Sequence, residues 1–341
     1  MAITLKDISK ATGFSITTVS RALNGYSDVN EETRVKIFQV ADELGYSPNI
    51  LARSLVMKQS KTIGFIVSDI KRESIKDQFM FEILCGVSDF LAKTEYEFVL
   101  LSTTTTKQKN KTYKQICAER QLDGVIIQGL KMNDPYLEEA VNSQTPCVLI
   151  DIPCDGEKNG FVTSNQYESA KNAVKYLIRV GHKNIAFING TEYAHVSTVR
   201  KQAYEAAIKE NRIEFREELI VNGDFEEEKA KQEMIKLLLN HPDITAVFCA
   251  SDVMALGALH AARELKIAVP EQLSIIGFDN ILISQYVTPK LTTIGQYPYK
   301  MGVAAANMLI DIFEGKESER VIEVKNDLIL RESVATVKKG D

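Results

Sequence analysis

Residues Ser15 to Asn24 read S-I-T-T-V-S-R-A-L-N, and the way this stretch folds decides the reading of the chain. Ser15 is a strong N-cap, because its hydroxyl can accept one of the free backbone N–H groups of the first turn. Val19, Ala22 and Leu23 recur at i, i+3 and i+4, which gives a helix one narrow apolar stripe to bury. Ile16, Thr17, Thr18, Ser20 and Arg21 are left for other faces, with Asn24 at the end. They sit close to the helix start, where a recognition helix meets base edges. So short a helix needs neighbours to hold it.

Both flanks supply them. Thr4-Leu5-Lys6-Asp7 has the capping-box form that opens a helix. Leu5, Ile8 and Ala11 would be that helix's buried face, and Gly13 allows the tight turn into Ser15. Asn24-Gly25 is a turn signal. Asn30 then caps a third helix, with Glu31 and Glu32 at the positive end of its dipole. Val35, Phe38, Ala41 and Leu44 are predicted to form its buried stripe, and Gly45 ends it. Helix, glycine turn, helix and supporting helix make a helix-turn-helix arrangement. On pattern alone, any small three-helix bundle would fit as well.

The 341 residues are ample for such a headpiece and a larger body, at 45% hydrophobic and 26% charged. Net charge is −5, yet residues 1–61 carry eight Lys/Arg against six Asp/Glu, a net +2 that leaves −7 on the remainder. A slightly basic small domain on an acidic body fits nucleic-acid contact confined to one end. Five cysteines (Cys85, Cys117, Cys147, Cys154, Cys249) show neither C-x-x-C nor zinc-finger spacing, and four lie in apolar patterns that suit buried free thiols. Met1–Thr18 lacks a secretory pattern, and no apolar run approaches membrane-spanning length. A reduced, cytoplasmic protein with no membrane contact is expected.

Pro48 suits the first position of a helix, with Ser47 as its cap. A helix over Asn49–Met57 would be marginal in water, since nucleation is costly and few hydrogen bonds offset it. Leu51 and Leu55 share one face, with Ala52 small enough to admit a second helix. A plain linker helix remains the alternative. From Ile63 onward, short β-branched runs alternate with amphipathic stretches. Predicted strands are Ile63–Ser68, Phe98–Ser102, Gly124–Gln128, Cys147–Asp151, Ile185–Asn189, Ala246–Ala250 and Ser274–Phe278. Helices are predicted over Phe79–Lys93, Glu168–Val180, Ser197–Asn211, Glu227–Leu239 and Met254–Leu265. The threonine run Thr103–Thr106 reads as a strand end entering a solvated loop. This β-α repetition argues for parallel sheets with helices on both faces, and the length suggests two such lobes with a ligand cleft at the strands' carboxyl ends. The fold class is therefore an all-α helix-turn-helix headpiece followed by an α/β core of two doubly wound parallel-sheet lobes.

No G-x-G-x-x-G or G-x-x-x-x-G-K-[ST] cradle is present. His182, His195, His241 and His260 are scattered without metal-ligand spacing, and His182, in V-G-H-K-N-I-A-F, suits structural hydrogen bonding. No catalytic constellation is recognisable, so neither an enzyme nor a cofactor is expected.

The residues themselves carry a resemblance. T-L-K-D-I-S-K-A-T-G-F-S, T-T-V-S-R-A-L-N-G, E-E-T-R, E-L-G-Y-S-P-N and L-A-R-S-L, in order over residues 4–55, resemble the DNA-binding headpiece of the LacI/GalR (lactose/galactose/purine repressor) family of bacterial transcriptional regulators. L-D-G-V-I-I-Q, V-L-I-D, V-G-H-K-N-I-A-F-I-N-G, S-D-V-M-A-L-G-A-L, V-P-E-Q-L-S-I-I-G-F-D-N and L-T-T-I-G-Q resemble that family's effector domain, itself similar to periplasmic sugar-binding proteins.

The resemblance implies a headpiece over 1–47, a hinge helix and linker over 48–61, and a two-lobe effector-binding and dimerisation domain over 62–341. One lobe would hold about 62–162 and 294–322, the other about 163–292 and 323–337. It implies a homodimer on double-stranded operator DNA, with Arg21 donating two hydrogen bonds to a guanine and Ile16 and Thr17 giving apolar contacts. Paired hinge helices would enter the minor groove, Leu55 wedging between base steps while Asn49 and Arg53 touch phosphate or sugar. A small-molecule effector, a carbohydrate, would bind between the lobes. Its matched contacts are Gln128 and Asp151 at strand ends, Arg200, Phe225, Ser251, Asp252, Asp279 and Gln296. Asp252 also reads as a helix cap.

The chain departs from the family after Asp69-Ile70, where a longer loop precedes Phe79 and Asp77 takes the position of a family Asn. That loop hints at an oligosaccharide, while Lys71, Arg72 or Lys76 would suit an acidic or phosphorylated sugar. A carbon-catabolite regulator with a protein corepressor is the alternative, although Asn307 stands where that branch has Arg. A sugar-binding transport receptor is another, and it would lack the headpiece.

Overall fold

In a computed structural model of the chain, the structure describes residues 3–46, 60–68 and 77–337. Asn49, Arg53 and Leu55 of the expected hinge, and Lys71, Arg72 and Lys76, lie outside the described residues. The chain divides into two compact units, residues 1–61 and 62–341.

The first unit holds α1 (Leu5–Thr12), α2 (Ile16–Leu23) and α3 (Glu31–Glu43). Each start is chemically capped. The Asp7 carboxylate accepts from the Thr4 N–H at 2.9 Å and the Thr4 hydroxyl at 2.7 Å. Ser15 Oγ accepts the Thr18 N–H at 3.0 Å, and Asn30 Oδ1 accepts that of Thr33 at 2.8 Å. Gly13 takes φ +77°, the left-handed conformation that costs glycine nothing and lets α1 turn into α2. The core is Ile8, Val19, Ala22, Val29, Ile37 and Ala41.

Two expected stripes are corrected. On α1 the inward residue is Thr12, whose hydroxyl bonds the Ile8 carbonyl at 2.8 Å, while Ala11 is exposed. On α3 the buried residues are Ile37 and Ala41 with Val40 beside them, whereas Val35 (58% exposed), Phe38 (48%) and Leu44 (37%) face outward. The helix carries two apolar stripes. Packing against Ile8, Val19 and Ala22 takes the Ile37–Ala41 stripe inward, and Arg34 reaches back to the Tyr26 and Val29 carbonyls at 2.9 and 3.3 Å.

The second unit is built from two six-stranded sheets. The chain first lays down β1 (Thr62–Ser68), α4 (Asp77–Leu91), β2 (Glu97–Thr103), α5 (Thr105–Asn110), α6 (Tyr113–Glu119), β3 (Gly124–Gln128), α7 (Pro135–Val141), β4 (Cys147–Ile150) and β5 (Asn159–Ser164). It then builds the other lobe from α8 (Gln166–Arg179), β6 (Ile185–Asn189), α9 (His195–Glu210), β7 (Ile220–Asn222), α10 (Glu227–Asn240), β8 (Ala246–Cys249), α11 (Asp252–Glu264), β9 (Ser274–Asp279) and β10 (Thr292–Gly295). It returns for α12 (Pro298–Phe313) and β11 (Val321–Val324), and ends in the second lobe with β12 (Asp327–Ile329).

The sheet orders are β11-β5-β4-β3-β1-β2 and β12-β10-β9-β8-β6-β7, parallel throughout except for β12. The chain crosses between lobes after Ser164, Gly295 and Val324. Those points fall slightly beyond the boundaries read from sequence, because Gly295 still pairs with Asp279 and Val324 with Ser164. Strands β4, β6 and β8 are wholly buried, as parallel strands covered on both faces must be. In the first lobe, α4 and α12 cross backbone to backbone. A Cβ on Gly302 would collide with the Ile83 carbonyl, and one on Gly86 with that of Tyr299.

The threonine run differs from its expected loop. Thr103 ends β2, and Thr104 caps α5 by accepting the Lys107 N–H at 3.2 Å. His182 is a structural latch, bonded to Thr245 Oγ1 at 3.0 Å and the Ala335 carbonyl at 3.1 Å. All five cysteines are free.

Candidate functional site

On α2, the side chains expected to meet DNA divide by what already occupies them. Ser15 and Thr18 hydroxyls bond each other at 2.8 Å at the cap, and Asn24 donates to the Ser20 carbonyl at 2.8 Å to close the helix. Ile16 and Thr17 are exposed and carry no such duty. Arg21 is half-exposed and paired with Asp28, at 3.1 Å from Nε to Oδ1 and 2.7 Å from Nη2 to Oδ2.

In the second unit a cavity of about 910 Å³ opens between the two sheets. Its walls are the carboxyl ends of strands. Val67 and Ser68 end β1, Gln128 ends β3, Ile150 ends β4 with Asp151 just after it, Thr191 and Ser251 follow β6 and β8, Asp279 ends β9 and Gln296 follows β10. In each sheet the strand order reverses beside β1 or β6, and the crevice of an open α/β sheet lies at that switch point. The topology therefore makes the cavity.

A continuous polar network ties the lining residues Asp151, Arg200, Asp279 and Gln296 together. Arg200 is buried. Its Nε and Nη2 donate to Gln166 Oε1 at 2.9 and 2.7 Å, Nη1 donates to the Ala250 carbonyl, and the guanidinium lies 3.7 Å from the Phe278 ring centroid. Gln166 Nε2 donates to Ser164 Oγ at 2.8 Å, Gln296 Oε1 at 3.1 Å and Asp151 Oδ1 at 3.3 Å. Gln296 Nε2 donates to Asp279 Oδ1 at 2.7 Å, and the Thr163 hydroxyl donates to Asp151 at 2.6 Å. Burial pushes the Asp279 carboxyl up to about 6, against the pull of Arg200 and the Gln296 bond. Burial likewise raises Asp151 and lowers Arg200 and His195. Asp151, Asp224, Phe225, Asp279 and Asn280 all hold positive φ, so the cavity rim concentrates backbone strain of the kind seen at functional sites.

Of the residues read from sequence, Phe79, Gln128, Asp151, Arg200, Phe225, Ser251, Asp279 and Gln296 line this cavity. The Phe225 ring fills the space that a side chain on Gly190 would need. Asp252 is not on the lining. It is buried behind it, accepting from the Ile281 N–H at 2.9 Å and the Thr293 hydroxyl at 2.5 Å, because Gly277 leaves room for its carboxylate. Ser251 caps α11 through the Met254 N–H at 3.2 Å. Asp77 opens α4. The sequence reading missed Gln166, the hub of the buried network, and gave no site role to His195, Thr191 and Lys131, which line the cavity. Among the described residues no group of His, Cys, Asp and Glu is arranged to hold a metal, and no helix is long and apolar enough to cross a membrane.

A helix-turn-helix unit joined to a two-lobed body with a polar cavity between its sheets defines a ligand-responsive DNA-binding regulator. The first part matches the model described as bacterial regulatory proteins, lacI family, over residues 4–49, and the second matches a periplasmic binding protein-like domain over residues 174–334. An HTH-type transcriptional repressor PurR from Histophilus somni (strain 2336) is 34% identical over 341 residues, 98% of this chain and 99% of that protein. One from Serratia proteamaculans (strain 568) is 35% identical over 335 residues, 97% of each. The solved complex of the transcriptional regulator CelR with cellobiose is 28% identical with a TM-score of 0.74, covering 97% of this chain and 99% of that one. A lac repressor dimer bound to operator and the anti-inducer ONPF shares the fold, with a TM-score of 0.82 at 24% identity, over 98% of this chain and 100% of that one. The chain belongs to the lacI family of bacterial regulatory proteins and is a transcriptional repressor.

Proposed function

We propose that this repressor binds operator DNA as a cytoplasmic homodimer through Ser15–Asn24, and that an uncharged carbohydrate in the interlobe cavity sets its affinity for that DNA. The observation that carries the effector class is the cavity itself. Gln128 and Asp151 from one sheet, Asp279 from the other and Gln296 from the crossing bring acceptors and amide groups to the lining, and the Phe225 ring offers an apolar surface. Adjacent hydroxyls and the C–H face of a sugar need this combination. Carboxylates at Asp151, Asp224, Asp279, Glu226, Glu227 and Glu228 outnumber the cations Lys131 and Arg200 on the lining, which favours a neutral sugar over a phosphorylated or acidic one. The similarity to the CelR–cellobiose complex supports the same class. Homodimerisation is supported by apolar side chains left exposed at Phe81, Val99 and Leu100 on one lobe and at Leu282, Ile283 and Tyr286 on the other. Val99 and Leu100 lie on β2, an edge strand that gains from being covered.

A thermal-shift screen of the full chain tests the effector class. Neutral mono- and disaccharides, sugar phosphates and planar nitrogen bases are the three arms. A binder stabilises by RT ln(1 + [L]/Kd), about 2.7 kcal/mol at a hundredfold excess over Kd. A concentration-dependent rise in Tm with a neutral sugar is expected. A rise confined to sugar phosphates or to planar bases contradicts the carbohydrate reading.

A further inference from the structure

We propose that Asp28 is the positioning residue for base recognition by this repressor: together with Tyr26 it holds the Arg21 guanidinium with its terminal edge free for a guanine. The inference rests on the reading of Arg21 as a base-contacting residue and goes beyond it by assigning what orients that side chain.

A guanidinium has two edges that can each make a paired contact, one through Nε and Nη2 and one through Nη1 and Nη2. Asp28 takes the first edge in bidentate form, Nε to Oδ1 at 3.1 Å and Nη2 to Oδ2 at 2.7 Å. The Tyr26 ring lies on one face of the same group, 4.6 Å from Cζ to the ring centroid. The second edge stays available, and it is the one that can donate end-on to guanine O6 and N7.

The loop carrying Tyr26 and Asp28 is itself tied down. The Tyr26 N–H bonds the Arg21 carbonyl at 3.0 Å, Val29 is buried, and Arg34 donates to the Tyr26 and Val29 carbonyls at 2.9 and 3.3 Å. A long side chain that would otherwise sample many rotamers is thus held by fixed neighbours, the arrangement that a recognition residue needs for selectivity. A carboxylate near a phosphate backbone also repels it. Asp28 therefore contributes to discrimination while working against general attraction to DNA.

Those opposed signs supply the test. The full-length chain and its Asp28→Asn, Asp28→Glu, Tyr26→Ala and Arg21→Ala variants are carried through selection on a randomised duplex library. Anisotropy titrations follow, on the selected duplex, on the same duplex with one guanine replaced, and on random duplex. Arg21→Ala is expected to erase the guanine preference. Asp28→Asn is expected to lower the ratio of selected to guanine-replaced affinity by about tenfold, within the discrimination a bidentate arginine provides. It should leave random-duplex affinity equal or higher, while Asp28→Glu and Tyr26→Ala fall between it and the unmodified chain. If Asp28→Asn keeps the full guanine preference, or strengthens all duplexes by one common factor, Asp28 merely neighbours Arg21 and the proposal is wrong. If Arg21→Ala retains the preference, the reading of Arg21 fails and the role of Asp28 falls with it. The two failures are told apart by which variant shows them.

Discussion

Asp279 shows how one carboxyl ties the cavity's chemistry to pH. A ligand hydroxyl donates to an ionised carboxylate, and burial pushes this group up to about 6. Ligand affinity is therefore full near pH 7.5 and falls as pH drops through 6, by about tenfold at pH 5, since one pH unit past a pKa is a factor of ten. Calorimetric titration at the two pH values checks this. For folding the sign is opposite. A carboxyl whose folded pKa lies above its unfolded value takes up protons on folding, so its unfavourable effect grows as pH rises from about 4 to 6 and persists above that. Asp279→Asn is accordingly expected to raise the Tm of the ligand-free protein at pH 7.5 while abolishing ligand stabilisation. Asp279 and Gln296 were legible only through the family resemblance, whereas Gln128 and Asp151 were legible also because each ends a β-branched run, and such ends face the crevice. Gln166 was not. It opens α8 just past the crossing at Ser164, and its side-chain direction depends on how the two sheets meet there.

Elements were legible where periodicity was long and illegible where tertiary contacts chose between options. The seven strands read from sequence are the β-branched runs. Those missed, β5, β7, β10, β11 and β12, are short or rich in Thr, Gly, Asn and charged residues, and sheet pairing rather than composition makes them strands. On α3 both stripes satisfy the helical period, and the one that packs on α1 and α2 through Ile37 and Ala41 is a tertiary choice that the period alone does not make. Two predictions belong to this scale. In an open helix, Gly→Ala gains about 0.8–1 kcal/mol of propensity. At Gly302 the new Cβ meets the Ile83 backbone carbonyl, which cannot swing aside, and overpacking costs about 1–3 kcal/mol. Gly302→Ala should therefore lower the urea midpoint, and an unchanged or raised midpoint would show that α4 and α12 can separate freely. Ser15→Ala removes the cap of α2 and should cost about 1 kcal/mol. Amide exchange in the first turn of α2 reports this as a several-fold acceleration.

At the scale of the whole molecule, charge and architecture divide the labour. The body holds the net negative charge and a cavity lined by strand ends, and the first unit holds the slight positive excess and the recognition helix. A ligand alters DNA binding only if it binds two conformations of the repressor unequally, and a difference of about 1–3 kcal/mol is enough to regulate. The two-unit plan and the doubly wound lobes were legible from the order of helical and strand periods, whereas the points of crossing depended on ladder pairing that only the folded sheets display. The most direct measurement is operator titration by fluorescence anisotropy, on a duplex obtained by selection, with and without saturating neutral sugar, for the unmodified chain and for Asp279→Asn. The account predicts that sugar shifts the operator Kd of the unmodified chain by about 5- to 150-fold and leaves that of Asp279→Asn unmoved. A sugar that binds the cavity, as seen by calorimetry, while the operator Kd stays constant would contradict it.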